Sequence, residues 1–270
     1  MEEKMIVLGT GNASVTRCYN TCWILQDEQG RYFMIDAGGG NGVLTQLEKL
    51  KISPAEIHHL FLTHKHTDHL FGVIWMIRTI AQMMMGRGNY EGDFHIYCHE
   101  ELVDIIMTFC RMTLSDKIVD LIGKRILIHV VEDGQVVTIH DYQIHYFDIQ
   151  SHKAKQFGFV TRLNNGKKLM FCGDEPLKDH CRAMAQDADW LLHEAFCLYE
   201  ERDIFKPYEI SHSTVKDCAQ MAQELHVKNL LIWHTEDKNI RRRKSLYKKE
   251  ARRYFKGKIY VPYDREVIKL

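Results

Sequence analysis

Short apolar segments of strand length alternate along the chain with longer segments that carry helical spacing. The short segments are aliphatic or aromatic and end at glycine or polar clusters, which predicts buried β-strands. They cover residues 5–8, 21–25, 32–35, 58–62, 94–98, 126–131, 136–139, 143–149, 168–172, 190–192 and 229–233. Helices are predicted over residues 43–50, 70–85, 100–111, 117–124, 177–185 and from 213 or 214 to 225. Strands interleaved with helices predict an α/β fold.

Five of these strands are followed directly by polar side chains that can bind a metal ion. They lie at residues 64–69, 152, 174, 194 and 234, so they are spread over the whole chain. Loops at strand ends project donor atoms while the packed strands hold them in place. Since no linker or low-complexity segment interrupts the pattern, we expect a single domain over residues 1–270 whose strands converge on one rim.

The densest of these sites is the run Thr-His-Lys-His-Thr-Asp-His at residues 63–69. Residues i, i+2 and i+4 of an extended segment share one face, so His64, His66 and Asp68 can converge on one side. The turn after Asp68 directs His69 toward a second centre. The run therefore predicts two metal ions that receive further ligands from downstream. The alternative is a solvated, histidine-rich loop, since the chain has 16 histidines.

Three later residues stand at strand ends in the same way and are further candidate ligands. His152 and His234 each follow an apolar strand. Asp174 comes after Gly173 at the end of a strand, where a carboxylate is well placed to bridge two cations. An aspartate in this position can instead cap the helix that follows.

The run at residues 63–69 resembles the metal-binding signature of the metallo-β-lactamase superfamily. Further matches resemble its ribonuclease Z branch, namely Leu-Gly-Thr-Gly at 8–11, His152 followed by Phe-Gly-Phe at 157–159, His-Glu-Ala at 193–195 and His-Ser-Thr at 212–214. The resemblance implies a four-layer αββα sandwich of the metallo-β-lactamase type, with the active site at the strand-end rim. It also implies that Asp36, which precedes a glycine cluster, supports the metal-binding loop; a turn-capping role is the alternative.

The resemblance and the strand-end positions together assign the ligands of two ions. The first ion takes His64, His66 and His152, the second takes Asp68, His69 and His234, and Asp174 bridges them. Imidazole and carboxylate ligands without a thiolate suit Zn²⁺ and leave Mn²⁺ or Fe²⁺ open. Two such ions roughly 3.5–4 Å apart can hold a hydroxide at neutral pH and clamp the oxygens of an in-line displacement at phosphorus. The predicted reaction is phosphodiester hydrolysis.

Three residues are candidates for proton transfer. The resemblance implies that Asp68 orients or deprotonates the bridging water. His212, hydrogen-bonded to Glu194, would protonate the leaving oxygen. The carboxylate would keep the imidazole charged at a helix start, where the helix dipole disfavours a cation. The neighbouring His193 is interpreted as structural.

The predicted function is a metal-dependent phosphodiesterase that acts on an RNA 3′ region or on a smaller nucleotide ester. Ribonuclease Z proteins that process transfer RNA carry a long arm, rich in glycine and proline, between the third histidine and the bridging aspartate. Here only residues 152–174 cover this interval, with a single hairpin turn at 164–166, which argues against a transfer-RNA substrate. Two alternatives are a hydrolase of small esters or thioesters and a metal-stabilised nucleic-acid-binding protein without catalysis.

Composition adds limits on partners and location. The 36 basic and 36 acidic side chains give a formal net charge of zero, so polyanion binding must come from a local patch. The basic run at residues 241–253 is either such a patch or a solvated helix face. The first residues show no basic segment followed by a long apolar run, so we expect no secretory signal; the helix at 70–85 is too short to span a bilayer, and the eight cysteines lack a Cys-x-x-Cys pair. We therefore expect a cytoplasmic protein with no membrane partner, and a homodimer is left open.

Overall fold

Two mixed β-sheets of seven strands each form the framework of the computed structural model, which describes residues 2–270. In chain order the strands are β1 (Lys4–Gly9), β2 (Cys22–Gln26), β3 (Tyr32–Ile35), β4 (Ile57–Phe61), β5 (Phe94–Cys98), β6 (Ile126–Val130), β7 (Val136–Ile139), β8 (Tyr142–Asp148), β9 (Phe157–Arg162), β10 (Lys168–Phe171), β11 (Trp190–Glu194), β12 (Asn229–Trp233), β13 (Lys258–Tyr260) and β14 (Val267–Lys269). The first sheet has the order β14-β1-β2-β3-β4-β5-β6 and the second has the order β13-β12-β11-β10-β9-β8-β7.

Helices of very different lengths connect the strands. Over residues 2–270 they are α1 (Gly42–Leu50), α2 (Thr67–Gln82), α3 (Glu100–Thr113), α4 (Asp116–Val119), α5 (Arg182–Ala185), α6 (Arg202–Phe205), α7 (Val215–Glu224) and α8 (Arg243–Ala251). A π-helical turn at Met83–Arg87 extends α2, and short 3-10 segments lie at Pro54–Glu56, Asp179–Cys181, Tyr199–Glu201 and Pro207–Ile210. Within the described part of the chain, every helix is too short or too polar to cross a membrane.

Each sheet belongs to one of two compact units that have separate cores. Unit 1 consists of the N-terminal strand up to Gly9, Tyr19–Glu132 and Asp264–Leu270, and unit 2 consists of Thr10–Cys18 and Asp133–Tyr263. In unit 1, α2 packs its apolar side chains, such as Met76 and Ile77, into the core beside the first sheet. In unit 2, Cys218 of α7 and Tyr247 of α8 are fully buried in the second core. The single domain expected over residues 1–270 stays a prediction.

Parallel strand pairing places the candidate residues at one edge of each sheet. In the first sheet β3 and β4 run parallel, so Asp36 and the loop that begins at Leu62 leave the sheet at the same edge. In the second sheet β10, β11 and β12 run parallel, so Asp174, Glu194 and His234 also share an edge. The carboxyl ends of parallel strands are where α/β sheets present ligand-binding residues.

Helix α2 begins earlier than the hydrophobic periodicity predicts. It starts at Thr67 rather than at residue 70, so its first turn contains Asp68 and His69. The apolar pattern starts only at Leu70 because the first helical turn consists of the polar residues Thr67, Asp68 and His69. An acidic side chain in the first turn of a helix interacts favourably with the helix dipole.

Two predicted helices are shorter than expected. The helix predicted at residues 117–124 is reduced to Asp116–Val119, because the chain turns back at Gly123, whose φ is 86° and whose N–H bonds the carbonyl of Ile126. The helix predicted at 177–185 is reduced to Arg182–Ala185 after a 3-10 turn. Its first residues are extended, since the N–H of Leu177 donates to Nε2 of His193.

Candidate metal centre

The run at residues 63–69 forms the loop before α2 and the first turn of α2, both in unit 1. His64 is fully buried, and its Nε2 lies 2.8 Å from Nδ1 of His66. One turn later, Oδ2 of Asp68 lies 3.4 Å from Nε2 of His69, and both of these side chains are buried. The run therefore presents two pairs of donor atoms, and the members of each pair lie within 4.8 Å of each other.

Asp36 holds this loop in place through hydrogen bonds to two of its residues. Oδ1 accepts from the N–H of Thr63 at 2.9 Å, and Oδ2 accepts from the Thr63 hydroxyl at 2.9 Å and from Nδ1 of His69 at 2.8 Å. An ionised carboxylate can only accept, so Nδ1 of His69 carries the proton and Nε2 keeps its lone pair. The Thr63 hydroxyl, which donates to Asp36, lies 2.9 Å from Nδ1 of His64 and accepts from it. In both imidazoles Nε2 is thus the nitrogen without a proton, the form in which histidine can bind a metal ion.

The backbone around Asp36 is specialised for this contact. Asp36 has a φ of 54°, a left-handed conformation that non-glycine residues rarely adopt. Helix α2 lies so close that a Cβ added at Gly72 would stand 1.8 Å from the carbonyl oxygen of Ala37. The N–H of Gly72 also donates to the carbonyl of Gly38 at 2.8 Å. The close approach fixes α2 against the turn that carries Asp36 and favours the loop-supporting role of Asp36 over turn capping.

In unit 2, Asp174 lies just after β10 and His234 lies just after β12. Nε2 of His234 is 3.6 Å from Oδ2 of Asp174, and both side chains are buried. The side-chain amide of Gln156 donates a short hydrogen bond to Oδ1 of Asp174. The next helical segment begins only after Lys178, so the helix-capping alternative for Asp174 is wrong.

His212 and Glu194 form a buried pair just before α7. Nδ1 of His212 lies 3.5 Å from Oε2 of Glu194, an ion-pair distance that is long for a hydrogen bond. The N–H of Ser213 donates to Oε1 of Glu194 at 2.7 Å and fixes the carboxylate. Burial lowers the pKa of His212, but the Glu194 carboxylate, together with Asp174, raises it above its ordinary value. The carboxylate therefore more than offsets the effect of burial on the pKa of His212.

The residues on either side of this pair have structural contacts. Nε2 of His193 accepts from the N–H of Leu177 at 3.0 Å, so Nδ1 carries the proton and donates to the carbonyl of Glu194 at 2.6 Å. Burial lowers the pKa of His193, in agreement with a neutral imidazole. Thr214 caps α7 in a reciprocal arrangement with Asp217, so the His-Ser-Thr sequence does begin a helix.

The structure does not bring His152 to the other candidate ligands of unit 2. Its side chain is exposed, and among the described residues it joins no cluster of potential metal ligands. The residues on both sides are held elsewhere, since the Ser151 hydroxyl donates to Glu175 at 2.6 Å and Lys153 Nζ donates to the carbonyl of Ile210 at 2.8 Å. These contacts turn the intervening imidazole toward solvent. The ligand role of His152 stays a prediction.

Three residues near the candidate site were not found from the sequence. Gln156 orients Asp174, and Nζ of Lys153 lies 3.5 Å from Nε2 of His212. The third, Arg243, is fully buried, and its guanidinium donates to the hydroxyls of Thr235 and Thr10 at 2.7 and 2.8 Å. The basic run therefore does not form a uniformly solvated face, because one of its arginines holds the segment directly after His234.

The donor set fits divalent cations. The side chains offer imidazole nitrogens and carboxylate oxygens, and Nδ1 is already bonded in His64, by the Thr63 hydroxyl, and in His69, by Asp36, which leaves Nε2 of each as the donor atom for a metal ion. Imidazole and carboxylate together suit Zn²⁺ and related first-row ions. A carboxylate that orients a ligating imidazole is a common partner in such sites.

The sequence and the fold were compared with known proteins. The sequence model of the family described as Anti-Pycsar protein Apyc1 matches residues 3–254. Ribonuclease Z of Thermococcus sibiricus is 25% identical, with 99% of this chain and 96% of that protein aligned. Ribonuclease Z of Synechocystis is 25% identical, with 84% of this chain and 81% of that protein aligned.

Solved structures of the same fold cover the whole chain. The metallo-β-lactamase fold protein YhfI from Bacillus subtilis has a TM-score of 0.79 at 16% identity, and the alignment covers 100% of both chains. Human tRNase Z, short form, has a TM-score of 0.74 at 22% identity, with 98% of each chain covered. The predicted fold class, a four-layer αββα sandwich of the metallo-β-lactamase type, is confirmed.

The family match covers most of the sequence, and the ribonuclease Z proteins align over most of their own length. The predictions of an enzyme of the metal-dependent hydrolase class and of a ribonuclease Z-like sequence are confirmed. The chain belongs to the family described as Anti-Pycsar protein Apyc1 and is a ribonuclease Z-like member of the metallo-β-lactamase superfamily.

Proposed function

We propose that the protein is a phosphodiesterase that hydrolyses a nucleotide phosphodiester with the help of two divalent cations, with Zn²⁺ as the first choice. The observation that carries this proposal is the network around Asp36, whose hydrogen bonds orient the buried imidazoles of His64 and His69. Nothing in a solvated loop would require a buried carboxylate to fix two imidazole tautomers. The network supports a metal-binding role for the run at residues 63–69 over the solvated-loop alternative.

Seven side chains would hold the ions in the proposed centre. They are His64, His66, Asp68, His69, His152, Asp174 and His234. When bound, the ions would lower the pKa of a water molecule, polarise the phosphoryl oxygens and stabilise the charge on the attacking and leaving oxygens. Asp68 and Asp174 would supply negative charge to balance the ions, and Asp68 would also accept a proton from the attacking water.

His212 would protonate the leaving oxygen. Oε1 of Glu194 is held by the N–H of Ser213, and Oε2 faces Nδ1 of His212. The cationic imidazole carries a proton on each nitrogen, and since Nδ1 faces Glu194, Nε2–H would be the donor available to the substrate. The ammonium of Lys153, 3.5 Å from Nε2, lowers the pKa of His212 against the effect of Glu194 and so favours release of that proton.

A nucleotide substrate smaller than transfer RNA is favoured by the segment between His152 and Asp174. Strands β9 and β10 form a plain antiparallel hairpin there, closed by a turn in which the N–H of Gly166 donates to the carbonyl of Leu163. No arm that could bind the body of a transfer RNA extends from this part of the described chain. We therefore propose a short RNA end or a small nucleotide ester as substrate, in the cytoplasm.

Steady-state assays with two ester classes test the proposed function. Metal-loaded protein is expected to hydrolyse bis(p-nitrophenyl) phosphate, with little turnover of a thioester, and the Asp174→Ala variant should lose this activity. Thioester hydrolysis alone would favour the small-ester hydrolase, and no turnover of either would favour a binding protein. Comparing a precursor transfer RNA with cyclic nucleotides then assigns the size of the natural substrate.

The Asp36→Asn variant is expected to bind metal about 10–100-fold more weakly, because an amide nitrogen facing Nδ1 of His69 would reverse the imidazole tautomer. Competition with a zinc-binding dye measures the affinity of each site. Thr63→Ser keeps the hydroxyl that links Asp36 to His64 and serves as the matched control, with wild-type affinity expected. Equal affinities for Asp36→Asn and the wild type would contradict the supporting role of Asp36.

A further inference from the structure

His234 follows β12 in a backbone conformation that is unfavourable for a histidine. Its φ is 54°, in the left-handed region that residues other than glycine rarely adopt. Such a conformation persists only where the surrounding contacts fix it. On the N-terminal side the sheet provides this contact, because the carbonyl of Trp233 accepts from the N–H of Ala195 at 3.1 Å. On the C-terminal side the conformation depends on what holds Thr235.

The loop at residues 10–18 holds the backbone of Thr235. The N–H of Thr235 donates to the carbonyl of Thr10 at 3.2 Å, and its carbonyl accepts from the N–H of Asn12 at 3.1 Å. The loop turns so tightly that a Cβ added at Gly11 would stand 2.4 Å from a methyl group of the same loop. The second glycine of the Leu-Gly-Thr-Gly sequence therefore permits the turn that brings the loop to Thr235.

The guanidinium of Arg243 joins this loop to the segment after β12 through two hydroxyl groups. Nη1 donates to the hydroxyl of Thr235 at 2.7 Å, and Nη2 donates to the hydroxyl of Thr10 at 2.8 Å. Nη2 also donates to the carbonyl of Pro262 at 2.9 Å, so the guanidinium itself is held from a third segment. Because a guanidinium is planar and its donors have a fixed geometry, it sets the positions of both hydroxyls.

The position of Arg243 is unfavourable for the stability of the fold. The side chain is fully buried, and over residues 2–270 the groups that accept from it are all neutral. Its Nε is buried without a hydrogen-bond partner among the same residues. Arg243 also begins α8, where a cation opposes the helix dipole. Burying a charge among neutral partners costs folding free energy, so stability alone does not account for this arginine.

We propose that Arg243 is a positioning residue for His234. It acts through the hydroxyls of Thr235 and Thr10, and together the three residues fix the left-handed backbone from which the imidazole of His234 binds a metal ion. The inference rests on the proposed function, because it takes His234 as a ligand of one of the two ions. It adds three residues that do not bind the ion themselves but on which the affinity for that ion depends.

Zinc binding by a variant that lacks one hydroxyl tests the inference. Thr235→Val keeps the shape of the side chain and removes the acceptor for Nη1 of Arg243. This variant is expected to bind one of its two ions roughly tenfold more weakly than the wild type, as is typical when a group that orients a metal ligand is lost. Competition with a zinc-binding dye measures both affinities. A more weakly bound ion should also raise Tm less when zinc is added, as measured by circular dichroism.

The matched control is Thr161→Val, which removes a buried hydroxyl elsewhere in unit 2. The hydroxyl of Thr161 donates to the carbonyl of Gln143 at 2.9 Å. Its loss should lower the Tm of the metal-free protein, but both zinc affinities and the rise in Tm on adding zinc should equal those of the wild type. The comparison separates positioning from a general loss of stability. Thr235→Ser keeps the hydroxyl and is expected to restore the wild-type affinities.

Arg243→Lys tests the guanidinium itself. Lysine keeps the positive charge, but its ammonium lacks the planar arrangement of donors that joins the two hydroxyls. This variant is expected to weaken the same ion as Thr235→Val does. If the lysine variant does not fold, Thr235→Val, which retains the arginine, decides the inference.

Two outcomes would overturn the inference and leave the proposed function in place. One is wild-type affinity for both ions in Thr235→Val and Arg243→Lys, while the wild type binds two ions and hydrolyses bis(p-nitrophenyl) phosphate. The other is an equal loss of affinity in Thr235→Val and Thr161→Val, which would reflect a general loss of stability. A wild type that bound fewer than two ions would contradict the proposed function, and the inference with it.

Discussion

Replacing His64 with alanine is expected to remove one of two bound ions and to slow phosphodiester hydrolysis by about 10³-fold. Metal ions contribute several kcal/mol of transition-state stabilisation, and each 1.36 kcal/mol corresponds to a factor of ten in rate. His64 is fully buried and its Nδ1 is occupied by Thr63, so no neighbouring rotamer change can restore the lost Nε2. Elemental analysis of the purified variant and turnover of bis(p-nitrophenyl) phosphate measure the two effects.

The matched control for this variant is His226→Ala. The side chain of His226 is 69% exposed beside Asp187, so its removal deletes an imidazole without touching the candidate site. Two ions and unchanged turnover are expected for this control. If His64→Ala also retained two ions and wild-type turnover, the proposed dinuclear centre would be wrong.

The same measurements on the His152→Ala variant test whether His152, the candidate ligand whose side chain is exposed, binds a metal ion. If the ligand assignment is correct, this variant loses an ion as His64→Ala does, and the loop between Ser151 and Lys153 must rearrange when metal binds. Retention of two ions with full turnover would remove His152 from the ligand set. The other six ligands would not be affected by that result.

The parts of the site that could be predicted from sequence are those marked by a local pattern, namely the run at residues 63–69 and the strand-end residues Asp174 and His234. The run at residues 63–69 places four donors in six positions, and its position after an apolar strand follows from local hydrophobicity. The role of Asp36 came only from the family resemblance. Its hydrogen bonds to Thr63 and His69 cross 27 and 33 residues, a separation that no local pattern encodes.

The residues that sequence reasoning missed depend on long-range contacts. Arg243 looks like part of a solvated basic run, yet it is buried because it bonds Thr10, which lies 233 positions earlier. Gln156 contacts Asp174 only because the loop after β8 and the end of β10 lie at one sheet edge. The misjudged length of the helix predicted at 177–185 has a similar cause, since His193 captures the N–H of Leu177.

Replacing His212 with glutamine is expected to slow hydrolysis of a dinucleotide by about 10²–10⁴-fold, the range typical of general acid catalysis. The leaving group in dinucleotide hydrolysis is a ribose alkoxide, which needs a proton as its bond to phosphorus breaks. The p-nitrophenolate anion is stable without a proton, so bis(p-nitrophenyl) phosphate should be slowed far less. Initial rates of the variant and the wild type on both substrates give the ratio that measures this difference.

The substrate ratio separates proton donation from a structural role for His212. His212 stacks on Phe196 with ring centroids 5.1 Å apart, so a variant that disturbed only this packing would slow both substrates by the same factor. Glu194→Gln provides the second variant, because the amide oxygen can still accept from the N–H of Ser213 while the charge that raises the pKa of His212 is lost. The loss in this variant should again be greater for the dinucleotide. Equal losses for the two substrates in both variants would contradict proton donation by His212.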